Sequence, residues 1–177
     1  MDELILQWVH RHGSPTLDAA FLVSNALGLG IVCVPLVLVM IASHLARGQK
    51  REALAWLVVG LATWGLVELT KVAVGRPRPI LWPRLVEVSG FSLPSGHALA
   101  GMSLYPLLGW IALRSRPGWQ WAGFAGGVLV GVFIGVGRLY LGVHWPSDVV
   151  VGWALGLALS VCAVAWLRGP PSSAVHD

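Results

Sequence analysis

The sequence predicts an all-α fold: a polytopic membrane helix bundle of about five transmembrane helices, with a further N-terminal helix lying in the interface. Three observations carry that prediction. Hydrophobic residues make up 56% of the 177 positions and charged residues only 11%, with a mean hydropathy of +0.74, whereas a water-soluble domain carries about 25% charged residues. Five apolar stretches approach the ~20 residues that a helix needs to cross the hydrocarbon core. Between them, short connections gather most of the Arg, His and Pro residues. At this length the chain reads as a single integral-membrane domain over residues 1–177.

Near the N-terminus, Leu4, Ile5, Trp8 and Val9 share one helical face in a segment too short to span, the pattern of an interfacial helix. The stretch MDELILQWVHRHG lacks a basic leader and a long apolar core, which argues against a cleaved signal peptide. His10 and His12, flanking Arg11, read as a solvated face. The spans follow at residues 21–42, 53–74, 95–113, 119–139 and 149–166. Gly123, Gly127, Gly131 and Gly135 recur every fourth residue on the fourth span, and Gly152 and Gly156 repeat the interval on the fifth. Small residues at that spacing let backbones approach, so these two helices are expected inside the bundle. Trp56, Trp82, Trp119, Trp121, Trp145 and Trp166 sit near span ends and read as markers of headgroup depth. Cys33 and Cys162 lie within apolar runs and read as small core residues.

The connections sort onto two faces. Residues 44–52 and 114–118 share one face with the C-terminal tail; the N-terminus, residues 75–94 and residues 138–148 share the other. Arg47, Lys50, Arg51, Arg114, Arg116 and Arg168 on the first balance Arg11, Lys71, Arg76, Arg78, Arg84 and Arg138 on the second, so charge bias alone gives no orientation. The net charge of +4 contains no basic run of the kind nucleic acid requires, which leaves anionic lipid or a phosphorylated substrate as its partner.

The second face holds three polar clusters. KVAVGRPRP brings Lys71, Arg76 and Arg78 to the end of the second span, where Pro77 and Pro79 stop the helix. Pro94-Ser95-Gly96-His97 opens the third span, and the free amides of a helix start attract anions while His97 can exchange a proton. Arg138, His144 and Asp148 form the third cluster, in which the carboxylate can fix one ring nitrogen of the histidine and leave the other facing outward. Each cluster alone has a plain reading, as cations at a helix end, a serine cap or a His–Asp cap.

Together, Lys71 with Arg78-Pro79, Pro94-Ser95-Gly96-His97, and Arg138 with His144 and Asp148 resemble the three-part signature of the type 2 phosphatidic acid phosphatase (PAP2) superfamily. That family includes bacterial lipid phosphatases, membrane glucose-6-phosphatases and soluble vanadium haloperoxidases. The resemblance implies a metal-independent phosphatase with no cofactor, working through a phosphohistidine. His144 would be the nucleophile, oriented by Asp148, and His97 the acid for the leaving oxygen and then the base for water. Lys71, Arg78, Ser95, Gly96 and Arg138 would hold the phosphate. No Asp or Glu cluster offers magnesium ligands. Two departures stand out: Gly137 replaces the serine that usually precedes the arginine, removing a hydroxyl donor, and family members often have one span more.

The substrate class implied is a membrane lipid phosphate, and small bacterial relatives commonly handle undecaprenyl pyrophosphate, phosphatidylglycerophosphate or phosphatidate. Undecaprenyl pyrophosphate is the first expectation. If Lys71, Arg78 and Arg138 serve the substrate, the remaining charge bias places the catalytic face outside the cytoplasm, in an inner cell membrane. Glu68 is expected to pair with Lys71, and Arg76 and Arg84 to be spare cations that draw headgroups in. A headgroup transporter is the rival reading; it shares the anion site but has no need of a nucleophile with an orienting carboxylate. The oligomeric state is left open.

Overall fold

The computed structural model describes residues 1–169, so the tail assigned to the first face at 170–177 lies outside the described residues. Seven helices follow one another: α1 (Asp2–Arg11), α2 (Pro15–Gly28), α3 (Gly30–Ala46), α4 (Lys50–Val74), α5 (Gly96–Leu113), α6 (Trp119–Tyr140) and α7 (Pro146–Arg168). Among the described residues there is no strand. Four helices are long and apolar enough to cross a membrane alone, and five when the bent pair α2 and α3 counts as one span.

That bent pair corrects the first predicted span. The helix begins earlier than residue 21, because Ser14 caps it by accepting the Leu17 amide at 3.3 Å and Pro15 supplies a pre-set first turn. It then breaks at Leu29, which is extended (φ −69°, ψ 145°) between Gly28 and Gly30, and the two halves meet at 46°. Hydropathy is blind to such a break. Packing explains its place: a Cβ on Gly28 would lie 2.6 Å from Cδ2 of His97, so only glycine lets α2 end against that ring.

The central element is α5. Its apolar window is 61% buried, against 28% to 33% for α4, α6 and α7, and the other helices are arranged around it. Except for Gly135, which is set against Trp153 of α7, the glycine ridges therefore serve α5, and the expectation that α6 and α7 are themselves interior is corrected. A Cβ on Gly127 would strike the Tyr105 carbonyl, Gly123 abuts Gly109, and Gly131 abuts Gly101. On α7, Gly152 lies against the Ser95 carbonyl and Gly156 against that of Leu99. Trp56, Leu104, Leu107 and Trp110 fill the core between α4, α5 and α7. Trp56 is fully buried and is no depth marker, while Trp119, Trp121 and Trp166 are exposed as expected. Cys33 is buried, but Cys162 is exposed and so is not a core residue.

At one end of the bundle, His44 meets Gln49, Arg114 meets Glu52, and Arg51 donates to the Trp166 carbonyl at 2.7 Å. The opposite end carries α1, residues 75–95 and residues 141–145. There α1 buries Leu6 completely and leaves Leu4 and Trp8 exposed.

The glycine ridge on α6 gives a sharp pair of expectations. Gly127→Ala forces a methyl into the α5 backbone and costs about 1–3 kcal/mol of stability. Gly126→Ala, one residue along, meets nothing within 4 Å and is neutral or slightly stabilising. Thermal unfolding of the two variants in the same detergent checks this; equal melting points would contradict the packing described.

Candidate active site

The three sequence clusters meet at the α1 end of the bundle. Lys71 lies in the last turn of α4, which ends on Gly75 in the left-handed conformation (φ 62°). The following link has no regular structure but is tied down by its own hydrogen bonds. Ser92 donates its amide to the Arg76 carbonyl at 2.8 Å, and Arg78 donates Nε to Gly90 O at 3.0 Å and Nη2 to Ser89 O at 3.1 Å. Ser95 caps α5, and its own amide donates to the Asp148 carbonyl at 3.1 Å, which joins the starts of α5 and α7. Gly142 (φ 66°) turns the chain out of α6 so that His144 precedes α7, whose first turn is closed by Asp148 Oδ2 accepting the Trp145 amide at 2.9 Å.

His144 is 2% exposed and stands between a cation and a carboxylate. Arg78 Nη1 lies 3.0 Å from its Nε2 and also donates to the Val143 carbonyl at 2.9 Å. A guanidinium only donates, so Nε2 must carry the lone pair and Nδ1 the proton. Nδ1 faces Asp148 Oδ2 across 3.5 Å, an ion-pair contact longer than an ordinary hydrogen bond. Burial, opposed by Asp148 and assisted by the charges of Arg138 and Arg78, lowers the His144 pKa to about 4. The ring is therefore neutral at physiological pH, with its lone pair turned toward the cations.

Arg138, only 1% exposed, donates Nη1 to Asn25 Oδ1 of α2, while its Nε has no partner among the described residues. His97 presents a buried Nε2 that is likewise unpartnered, and Arg138, His144, Arg78 and Lys71 all lie close enough to act on it electrostatically. An apolar groove of about 500 Å³ between α3 and α4, lined by Val34, Val37, Leu61 and Trp64, runs up to Gly96. All eight residues singled out in the sequence thus lie at this end of the bundle.

The profile of the PAP2 superfamily matches residues 53–170, more than half of the chain. The chain belongs to the PAP2 superfamily. It is 30% identical to phosphatidylglycerophosphatase B of Bacillus subtilis over 89% of this chain and 79% of that protein. With an undecaprenyl-diphosphatase of Sulfolobus acidocaldarius it shares 27% identity, over 84% of this chain and 70% of that one. Its fold is similar to the crystal structure of a transmembrane PAP2 type phosphatidylglycerolphosphate phosphatase from Bacillus subtilis, with a TM-score of 0.86 and 27% identity, covering 97% of this chain and 87% of that one. This PAP2 protein is accordingly a multi-pass membrane enzyme, a lipid phosphatase.

Against the PAP2 pattern, the departure at Gly137 has a packing cause. A Cβ at that position would fall on the Oγ of Ser24, which is fully buried on α2 and donates to the Phe21 carbonyl at 2.8 Å. A hydroxyl from another helix thus stands where a residue-137 side chain would begin. Other expectations are corrected. Glu68 is exposed and belongs to none of the ion pairs among the described residues, so it does not pair with Lys71. Arg84 donates to the Pro79 carbonyl within its own loop. Arg76 is not spare: it pairs with Asp148 at 2.7 Å and with Asp2 at 2.9 Å. Asn25 and Asp2 escaped the sequence reading. An asparagine inside an apolar run is costly without a partner, and that was the available signal for Asn25; Asp2 offered none.

Two outcomes follow from this geometry. Gly137→Ser costs about 1–3 kcal/mol through overpacking, and adding Ser24→Gly restores most of the melting temperature; no rescue would contradict the shared space. The second concerns His144, whose folded pKa lies below its ordinary value of 6.5. The unfolded chain binds this proton first, so its stabilising contribution is complete above 6.5 and declines as pH falls toward about 4. A histidine NMR titration in micelles should find this ring neutral at pH 5.5, and a midpoint near 6.5 would refute the burial argument.

Proposed function

We propose that this enzyme hydrolyses a membrane lipid phosphate through a phosphohistidine on His144, and that its substrate is undecaprenyl pyrophosphate. The observation that carries the reading is the Arg78–His144–Asp148 alignment, which presents an uncharged Nε2 lone pair inside a cluster of cations. In the first step Nε2 attacks phosphorus, the bond from phosphorus to the lipid-side oxygen breaks, and His97 gives that oxygen a proton. Asp148 stabilises the positive charge that forms on the His144 ring, and its hydrogen bond tightens as that charge grows. Water then loses a proton to His97 and attacks the phosphohistidine, which releases inorganic phosphate and returns both histidines to their starting states.

Lys71, Arg78 and Arg138, with the Ser95 hydroxyl and the Gly96 amide, hold the non-bridging oxygens and neutralise the charge of the transition state, the part a metal ion takes elsewhere. Arg78 rests on His144 Nε2, so an arriving phosphate has to take over this donor before the nucleophile is free. The negative charge of that phosphate also favours the protonated form of His97 that the first step needs. The groove ending at Gly96 suits a lipid tail that stays in the bilayer while the phosphate enters the polar end. Prenyl and glycerolipid tails both fit such a groove; a relative named undecaprenyl-diphosphatase supports the first, and one named phosphatidylglycerophosphatase keeps the second in the test. The same cation argument places the catalytic face outside the cytoplasm, in the cell membrane.

The test is phosphate release by purified protein in EDTA from undecaprenyl pyrophosphate, phosphatidylglycerophosphate and phosphatidate. Undecaprenyl pyrophosphate should give the highest kcat/KM. His144→Ala should lower kcat by at least about 10³-fold with the fold intact, since it removes the nucleophile. Full activity in that variant sinks the mechanism; a clear preference for another lipid overturns the substrate.

A further inference from the structure

Asp148 turns one carboxylate oxygen toward His144, and the other is held from elsewhere in the fold. Oδ2 accepts the Trp145 amide and faces His144, while Oδ1 accepts Arg76 Nη1 at 2.7 Å. The carboxylate is completely buried, and the 3.5 Å gap to Nδ1 is one that a small rotation of its plane closes or widens. Arg76 and the Trp145 amide therefore set that rotation from opposite sides.

Arg76 is in turn held by the N-terminal helix. Its Nη2 donates to Asp2 Oδ2 at 2.9 Å and its Nη1 also donates to Ser147 Oγ at 2.7 Å. Ser147 closes the ring by donating its hydroxyl to Asp2 Oδ2 at 2.5 Å and its amide to Asp2 Oδ1 at 3.3 Å. The guanidinium also lies 5.5 Å from the centre of the Trp145 ring. An isolated, partly exposed ion pair adds little stability. This one ends on a buried carboxylate, where the loss of a partner is felt in full.

We propose that Arg76 and Asp2 are positioning residues for the reaction: Arg76 fixes the plane of the Asp148 carboxylate against His144, and Asp2, carried in on α1, fixes Arg76. The N-terminal helix is on this account part of the catalytic apparatus. The inference rests on the reading of His144 as nucleophile and extends it to groups that touch neither substrate nor histidine.

The experiment uses the full chain in mixed micelles with whichever lipid phosphate the wild type hydrolyses best, and rates are taken per folded molecule. Arg76→Gln should lower kcat by on the order of tenfold to a hundredfold while KM stays within about threefold, because the phosphate-holding cations are untouched. Arg76→Lys should recover part of the loss. Asp2→Asn should lower kcat by a smaller factor, about threefold to tenfold, and should add nothing in the Arg76→Gln background, since both act through one bond. Asp2→Glu, which keeps the charge, guards against a folding artefact. The proposal is overturned if Arg76→Gln keeps wild-type kcat, if the two losses multiply independently, or if only the melting temperature moves. A wild type inactive on every lipid phosphate, or an active His144→Ala, is a different result: the phosphohistidine reading then fails and this proposal with it.

Discussion

Asp148 has no exposed surface, and it stands at the start of a helix with His144, Arg76 and Arg78 around it. A buried carboxylate without partners is costly. Here the Trp145 amide and Arg76 satisfy it while the His144 ring faces it at 3.5 Å, and these contacts place the start of α7, the link after α4 and the turn after α6 relative to one another. Lys71, Arg78 and Arg138 lie close enough to repel one another, and Asp148 supplies a counter-charge to Arg78. The polar end of the bundle is therefore built outward from one side chain.

The apolar part of the molecule holds those groups at fixed depth. Because glycines on α6 and α7 face the α5 backbone, the two helices that bracket the Arg138–Asp148 turn cannot slide along α5 without collision. Ser95, at the start of α5, is thereby held to the Asp148 carbonyl. The break at Leu29 does related work on the other side. It lets α2 run close enough to α6 for Asn25 to meet Arg138 and Ser24 to meet Gly137, while α3 turns away toward the groove.

The sequence made the chemistry easier to read than the architecture, for physical reasons. Charged and Pro-rich clusters in an apolar chain stand out because burying them without purpose is costly, so Lys71, Arg78, Ser95, His97, Arg138, His144 and Asp148 were visible as a set. The break in the first span was not, since Leu29 between two glycines is as apolar as an unbroken helix. Glycine spacing announced close packing but not its partner, and α5, which carries no such long ridge, proved to be the axis. The partners of Arg76 depend on contacts across more than seventy positions, which no local pattern encodes. Trp56 and Cys162 differ from expectation because composition cannot separate a lipid-facing site from a protein-facing one.

The contact between Arg78 and His144 decides how the ring can be approached. A neutral imidazole offers a single lone pair, on the nitrogen that carries no proton. The guanidinium covers the only basic nitrogen of that ring. With Arg78 on Nε2 and Nδ1 turned to Asp148, neither nitrogen of the ring faces open space, and any group that is to reach Nε2 has first to displace the arginine.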